Sequence, residues 1–470
     1  MAVAIIGAPQ STFEEGLRLS PSAQHLRSAT DEGLVSFNAA GQVVPGIAER
    51  WIVTDDGLSY IFRLRQSDWP DGEEISAEDV RNLLRDTIAR LDGTSLGLDL
   101  GKIRDIRAMT GRVVEIRLTS PMPEFLQLLA QPEMGLIKDG SGAGPMAMSR
   151  EPDSAVARLS ALPPETRGLP PREDWEEGAQ SVSLEAMSAE RALEGFTDGD
   201  IDLVLNGRFS TFPLIELGPL SRGTIQVDPA WGLFGFAVKK DTGLLATPER
   251  REALSMAIDR ATLLQGFAIS GWQPSTWIAP PEFFTDVRVE DNRWPAMTLD
   301  QRIEVARGRI AQWRAEPGLD VTSEGPARIA VAMPDGPGSD LLFRQLVEDW
   351  RAIGVSAYRV EPGEDADLEL VDRLARYSSP RWFFNQFNCS LKRGLCSPAA
   401  DEIVQRSLAV NDPVLKQQFF ADAQRALVAD EVYIPLGAPI RWSLVRGAIT
   451  GYVPNQWGLH PLFPLSQPPI

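Results

Sequence analysis

Few side chains in this sequence are equipped for chemistry. Cys389 and Cys396 are its only cysteines, and His25 and His460 its only histidines. Gly93-Thr94-Ser95-Leu96-Gly97 fits the G-x-S-x-G pattern of a nucleophile elbow, with His460 downstream in the order a hydrolase uses. Such an elbow must end a buried strand and open a helix. Here the pentapeptide follows Val80, Leu83, Leu84, Ile88 and Leu91, an apolar stripe at helical spacing. Serine hydrolysis is therefore the remote reading, and the chain is read as non-catalytic. Two histidines so far apart supply no chelating pair, so neither a resident metal nor a cofactor is expected, while a metal chelate held by other groups stays open. No phosphate loop and no H-E-x-x-H occurs, and Gly140-Ser141-Gly142-Ala143-Gly144 lacks the βαβ setting of a dinucleotide fingerprint. The stretch from Asn388 to Cys396 has a polar, glycine-containing centre. Either it doubles back into a local disulfide, which needs an oxidising compartment, or the two thiols are unrelated.

The elements around these residues read as a large α/β protein. At 470 residues the chain is too long for one core and fits two or three subdomains. Its formal net charge of -19 repels nucleic acid and anionic lipid, so neither is an expected partner. No apolar run reaches the roughly 18 residues that a membrane span needs. Ala2 to Ile6 reads as a first strand. Trp51 and Val53, then Tyr60, Phe62 and Leu64, alternate with polar residues around an Asp55-Asp56-Gly57 turn. Ser76 is placed to cap a helix that Glu78 and Asp79 favour at its positive end. Gly111 to Leu118 alternates again. Residues 150–180, rich in Pro, Glu and Arg, read as an irregular excursion. Glu190 to Phe196 is a helix and Ile201 to Leu205 a strand. Pro248 to Phe267 reads as one long helix, residues 329–332, 340–353 and 355–360 as a βαβ unit, and Leu415 to Ala429 as the last long helix.

Several segments, with their order and spacing kept, resemble the peptide, nickel and opine branch of the bacterial extracellular solute-binding proteins, family five. They are Glu32-Gly33-Leu34-Val35 with Val44-Pro45-Gly46-Ile47-Ala48-Glu49-Arg50-Trp51; Asp55-Asp56-Gly57 with Phe62-Arg63-Leu64-Arg65; and Trp69-Pro70-Asp71-Gly72 with Ser76-Ala77-Glu78-Asp79-Val80. Gly142-Ala143-Gly144-Pro145, Gly199-Asp200-Ile201-Asp202, Ala253-Leu254-Ser255-Met256-Ala257-Ile258-Asp259-Arg260 and Tyr433-Ile434-Pro435-Leu436 agree. The glycines and Asp-Gly pairs stand where turns need them, so these motifs are architecture and say little of a ligand.

The resemblance implies a type II periplasmic-binding-protein clamshell, α/β in class, with an extra β-rich subdomain. Residues 1–30, 146–236 and 436–470 would build one lobe, with 31–145 inserted in it, and 237–435 the other. Crossings near Phe236 and Pro435 would act as hinges. The implied function is the substrate-binding subunit of an ABC importer, a monomer that delivers a peptide or peptide-like solute to a membrane permease. The alternative is a sensory or chaperone-like protein on the same fold, binding an anionic or amine-blocked compound. The N-terminus lacks the form of a signal peptide, so either the protein is cytoplasmic or a signal or lipid anchor was cut away; the resemblance implies the second, an extracytoplasmic location. In peptide-binding relatives an Asp in a "w.aDY..P" segment pairs with the ligand amine. The matching stretch here is Leu374-Ala375-Arg376-Tyr377-Ser378-Ser379-Pro380. Arg376 at that position would repel an amine and favour a carboxylate or phosphate; the other reading turns it to solvent. Tyr377 and Trp382 are pocket walls or core. Gln24 and His25 stand in a ligand-facing loop or a plain surface loop.

Overall fold

A computed structural model describes residues 1–215, 223–267, 269, 271–285, 287–290, 292–316 and 327–466. The chain divides into two compact units: Met1–Arg208, Leu214–Ala230 and Ile440–Ile470 in the first, Phe209–Pro213 and Trp231–Pro439 in the second.

The first unit is built on a seven-stranded sheet. Its strands run in the order Met146–Ser149, Val156–Ala161, Val182–Met187, Ala2–Ile6, Leu203–Arg208, Arg441–Val445, Ile225–Val227. Ala2–Ile6 is parallel to both neighbours. Its side chains are almost wholly apolar, as a strand covered on both faces requires. Val3, Ile5, Leu184, Leu203 and Leu205 form a core with Leu26 and Ala29 of the helix Pro21–Thr30. A four-stranded antiparallel sheet, Ala48–Val53, Ser59–Leu64, Val113–Leu118, Ile103–Met109, belongs to the same unit. Gly57 takes φ 67° at its first turn, and the helix Ala77–Arg90 opens on a Ser76–Asp79 capping box.

The excursion expected over 150–180 contains a strand. Ala157 and Leu159 are buried between Val156, Arg158 and Ser160, a period-two pattern of six residues set among proline and acidic residues. At Gly207 the sheet register shifts opposite Trp442. A Cβ there would lie 2.1 Å from the Trp442 ring, which is fully buried. Gly207→Ala is expected to cost about 1–3 kcal/mol through overpacking; an unchanged thermal unfolding midpoint would contradict this.

The second unit carries a five-stranded sheet in the order Val355–Val360, Ala327–Ala332, Leu368–Leu374, Gly232–Val238, Tyr433–Gly437. Ala327–Ala332 and Val355–Val360 are parallel, with the helix Pro337–Arg351 between them in sequence. Trp350 of that helix packs on Phe236 at 6.0 Å. Phe236 and Pro435 lie inside paired strands of this unit, within a few residues of the unit boundaries at 230/231 and 439/440; two further boundaries fall at 208/209 and 213/214. The helix expected over 248–267 ends at Ala257. Asp259 accepts the Ala261 N–H at 3.2 Å and the Thr262 hydroxyl at 2.8 Å, local bonds that compete with helical ones.

Candidate functional site

The Arg376 segment leaves the strand Leu368–Leu374 in the second unit. The Ala375 N–H donates to the Trp231 carbonyl at 2.7 Å, and the chain turns through Arg376–Ser379 into the short helix Pro380–Asn385. Proline suits that first helical position because its missing N–H would be unpaired anyway. Tyr377 is fully buried and Trp382 is 2% exposed. Trp382 meets Phe383 edge-on at 4.9 Å, Phe383 meets Phe283 at 5.6 Å, and Phe283 meets Trp231 at 4.9 Å. Trp382 is thus part of an aromatic core.

Arg376 is half-buried, and its charge is felt nearby. Partial loss of hydration, then repulsion from Arg393 and Arg376, lowers the Arg373 guanidinium to about 10, still charged at neutral pH. Arg373 donates to the Gln386 side chain at 2.8 Å. Arg373 and Arg393 line a cavity of about 280 Å³, together with Asn388 and Cys396. Cys389 and Cys396 are joined by a disulfide with a Cα–Cα distance of 5.1 Å. The intervening loop doubles back through Lys392 (φ 50°), and its Leu395 N–H donates to the Val238 carbonyl at 2.8 Å. This loop therefore sets Arg393 at the cavity's edge. Arg373, Arg393 and Lys239 make this wall basic against the single carboxylate of Glu369, a balance that favours a carboxylate or phosphate, whereas Arg376 lies outside the lining.

Gln24 and His25 lie on a helix rather than in a loop. Ser20 accepts the Ala23 N–H as N-cap and Pro21 occupies the first turn, a start signal visible in the sequence. Gln24 donates to the Leu19 carbonyl at 2.9 Å. His25 is 2% exposed with both ring nitrogens engaged. Nδ1 lies 2.6 Å from the Pro21 carbonyl, and Nε2 accepts the His460 N–H at 3.2 Å. His460 Nε2 in turn meets Asp228 Oδ2 at 3.1 Å, and Asp228 Oδ1 accepts the Asn455 N–H at 3.0 Å. This network ties the first helix to the C-terminal segment. Sequence reading missed it because no local pattern connects residues 25, 228 and 460.

The G-x-S-x-G pentapeptide is a capping motif. It follows the helix Ala77–Arg90, and Thr94 Oγ1 accepts the Gly97 N–H at 3.0 Å to open the helix Ser95–Leu100. A Cβ on Gly97 would lie 2.1 Å from the Leu91 carbonyl oxygen, which gives that glycine a packing reason. The strand an elbow requires is replaced by a helix.

Two α/β units built on mixed sheets, with an antiparallel β-rich part in the first, are the elements of the α/β fold with an extra β-rich subdomain that the sequence led us to expect. Residues 42–157 match the family described as bacterial extracellular solute-binding proteins, family 5 Middle. The chain is 26% identical over 483 residues to the probable di/tripeptide-binding protein 5 of Pseudomonas aeruginosa, covering 90% of this chain and 87% of that protein. It is 21% identical over 465 residues to the periplasmic oligopeptide-binding protein OppA of Salmonella typhimurium, covering 90% and 84%. Its fold matches that of Haemophilus influenzae OppA, solved in complex with RPPGFSPFR, at a TM-score of 0.81 and 17% identity over 99% and 98% of the two chains. The family match is confined to residues 42–157, while the likeness to these relatives runs along about nine-tenths of the chain.

Proposed function

We propose that this protein is the substrate-binding subunit of an ABC importer, working outside the cytoplasm as a monomer that presents its solute to a membrane permease. The ligand is a peptide or peptide-like compound whose acidic group is held by Arg376. The observation that supports the acidic preference is that Arg373 and Arg393 line one cavity of the second unit and that the charge of Arg376 reaches Arg373. An arginine fork binds carboxylate or phosphate in bidentate fashion, and the same charges disfavour a free amine. A second reading rests on the same observation: the solute is an anionic, amine-blocked compound that is not a peptide. Names of relatives support the peptide class, since they include di/tripeptide- and oligopeptide-binding proteins.

Calorimetric titration of short peptides in three forms tests both readings: free, N-acetylated and C-amidated. N-acetylated acids are expected to bind at least as tightly as free peptides, and amidation to weaken binding. Arg376→Glu is expected to lower affinity for the best ligand about 100-fold, roughly 2.7 kcal/mol. Unchanged affinity in Arg376→Glu would overturn the anchor. Tightest binding by compounds without a peptide bond would favour the second reading.

A further inference from the structure

A cavity of about 920 Å³ lies wholly within the first unit, bordered by the helix Pro21–Thr30, the Gly140–Gly144 loop and the Trp69 turn. Its volume falls within the range of small-molecule sites. Charge on its walls is segregated. Arg27, Arg65 and Arg167 are sequestered, with side chains 12%, 8% and 14% exposed, whereas the lining carboxylates Glu14, Glu15 and Asp68 face solvent.

One carboxylate serves two of the sequestered guanidiniums: Glu32 is 2.6 Å from Arg65 and 3.7 Å from Arg167. Arg27 has Asp31 at 3.6 Å, a carboxyl that burial pushes up to about 6 and that is lost as a counter-ion when pH falls below that value. A fourth cation, Arg150, lies over the Phe13 ring at 3.6 Å. Part of the unmet hydrogen-bonding demand among the described residues lies at this cavity. Thr12 Oγ1, Arg65 Nε, Trp69 Nε1 and Arg167 Nε are all buried without a partner, and all four residues line it. Such groups are rare because leaving a buried donor unpaired costs about 1–3 kcal/mol. Phe13, Leu26, Trp69 and Met146 supply apolar surface on the same wall, beside Thr30, Ser67 and Thr166.

We propose that this cavity is a second ligand site, distinct in its residues from the Arg376 segment, for an organic anion with an apolar body. The anionic head pairs with Arg27 and Arg167, where removal of water strengthens the attraction. The apolar body lies against the aromatic and methionine side chains. A carboxylate and a phosphate monoester share this chemistry.

Calorimetry with decanoate, decyl phosphate and neutral decanol tests it, on protein whose variants keep the parent thermal midpoint within a few degrees. The parent is expected to bind one decanoate or one decyl phosphate at least tenfold more tightly than decanol. The stronger of the two identifies the head group. Arg27→Gln and Arg167→Gln are each expected to weaken the anions about tenfold and leave decanol unchanged. Ala143→Trp, which fills the cavity, is expected to abolish all three. Arg376→Glu is expected to leave them untouched. Equal affinity for anions and decanol, no binding of either anion, or anion affinity insensitive to both arginine variants would overturn the proposal. Loss of the anions in Arg376→Glu would also overturn it, by assigning them to the solute site instead.

Discussion

Replacing Arg293 by alanine is expected to destabilise the second unit by about 3–5 kcal/mol, the usual cost of removing one partner from a buried ion pair. Glu431 is 1% exposed, and its carboxylate receives Arg293 through two bonds, of 3.0 and 2.6 Å. Burial pushes the Glu431 carboxyl up, and the charge of Arg293 pulls it back. With the guanidinium gone, burial and the charge of Glu252 both act against the ionised carboxyl, and only the charge of Arg260 opposes them. The damage spreads because Arg293 also lies over the Trp294 ring at 4.8 Å and meets Glu252 at 3.4 Å. Glu252 accepts from the Trp294 indole N–H at 3.0 Å and from Arg309 at 2.7 Å. Glu431→Gln combined with Arg293→Met is expected to recover part of the loss, since neither change then leaves a buried charge alone. Urea midpoints of the three proteins check this. A midpoint for Arg293→Ala within 1 kcal/mol of the parent would mean that the pair contributes little.

Acidification is expected to remove about 3 kcal/mol of stability through His25 alone. The folded protein holds this ring neutral, because Nε2 must accept the His460 N–H. Burial, and then the charge of His460, lowers its pKa from 6.5 to about 4 against the raising effect of the Pro21 carbonyl. The unfolded chain takes up a proton below about pH 6.5 and the folded one does not. The contribution of His25 is therefore complete above pH 6.5 and is lost as pH falls toward 4. Asp31 acts with the opposite sign: its raised pKa of about 6 makes its contribution favourable at low pH and lost as pH rises. Comparing the parent with His25→Gln across pH 7.5 to 4 cancels Asp31, which both proteins share. The variant is expected to be less stable at pH 7.5 and to show a shallower decline. Parallel pH profiles would refute the assignment.

Turns and caps were the most legible part of the fold, because their chemistry is local. Asp55-Asp56-Gly57, the Ser76–Asp79 box and the βαβ unit at 327–360 stand where residue type alone puts them. The break after Ala257 was hidden because Ile258, Leu263 and Leu264 continue an apolar pattern that the Asp259 side chain interrupts. The strand Val156–Ala161 was hidden by its composition of neighbours. At the candidate site the position of Arg376 was legible through family resemblance, whereas its company, Arg373 and Arg393, required the fold. Trp382 was ambiguous in sequence because a pocket wall and a core position ask for the same side chain. His25 was read as a loop residue despite the Ser20-Pro21 start signal, and its partners lie hundreds of residues away in the chain.

The central claim is that this chain captures an acidic small solute. Native mass spectrometry of the purified protein, followed by denaturation and identification of whatever is released, tests it most directly. The account predicts a stoichiometric small molecule bearing a carboxylate or phosphate, retained by the parent and absent from Arg376→Glu. A released compound that is cationic, or one that Arg376→Glu and Ala143→Trp each retain as fully as the parent, would contradict it.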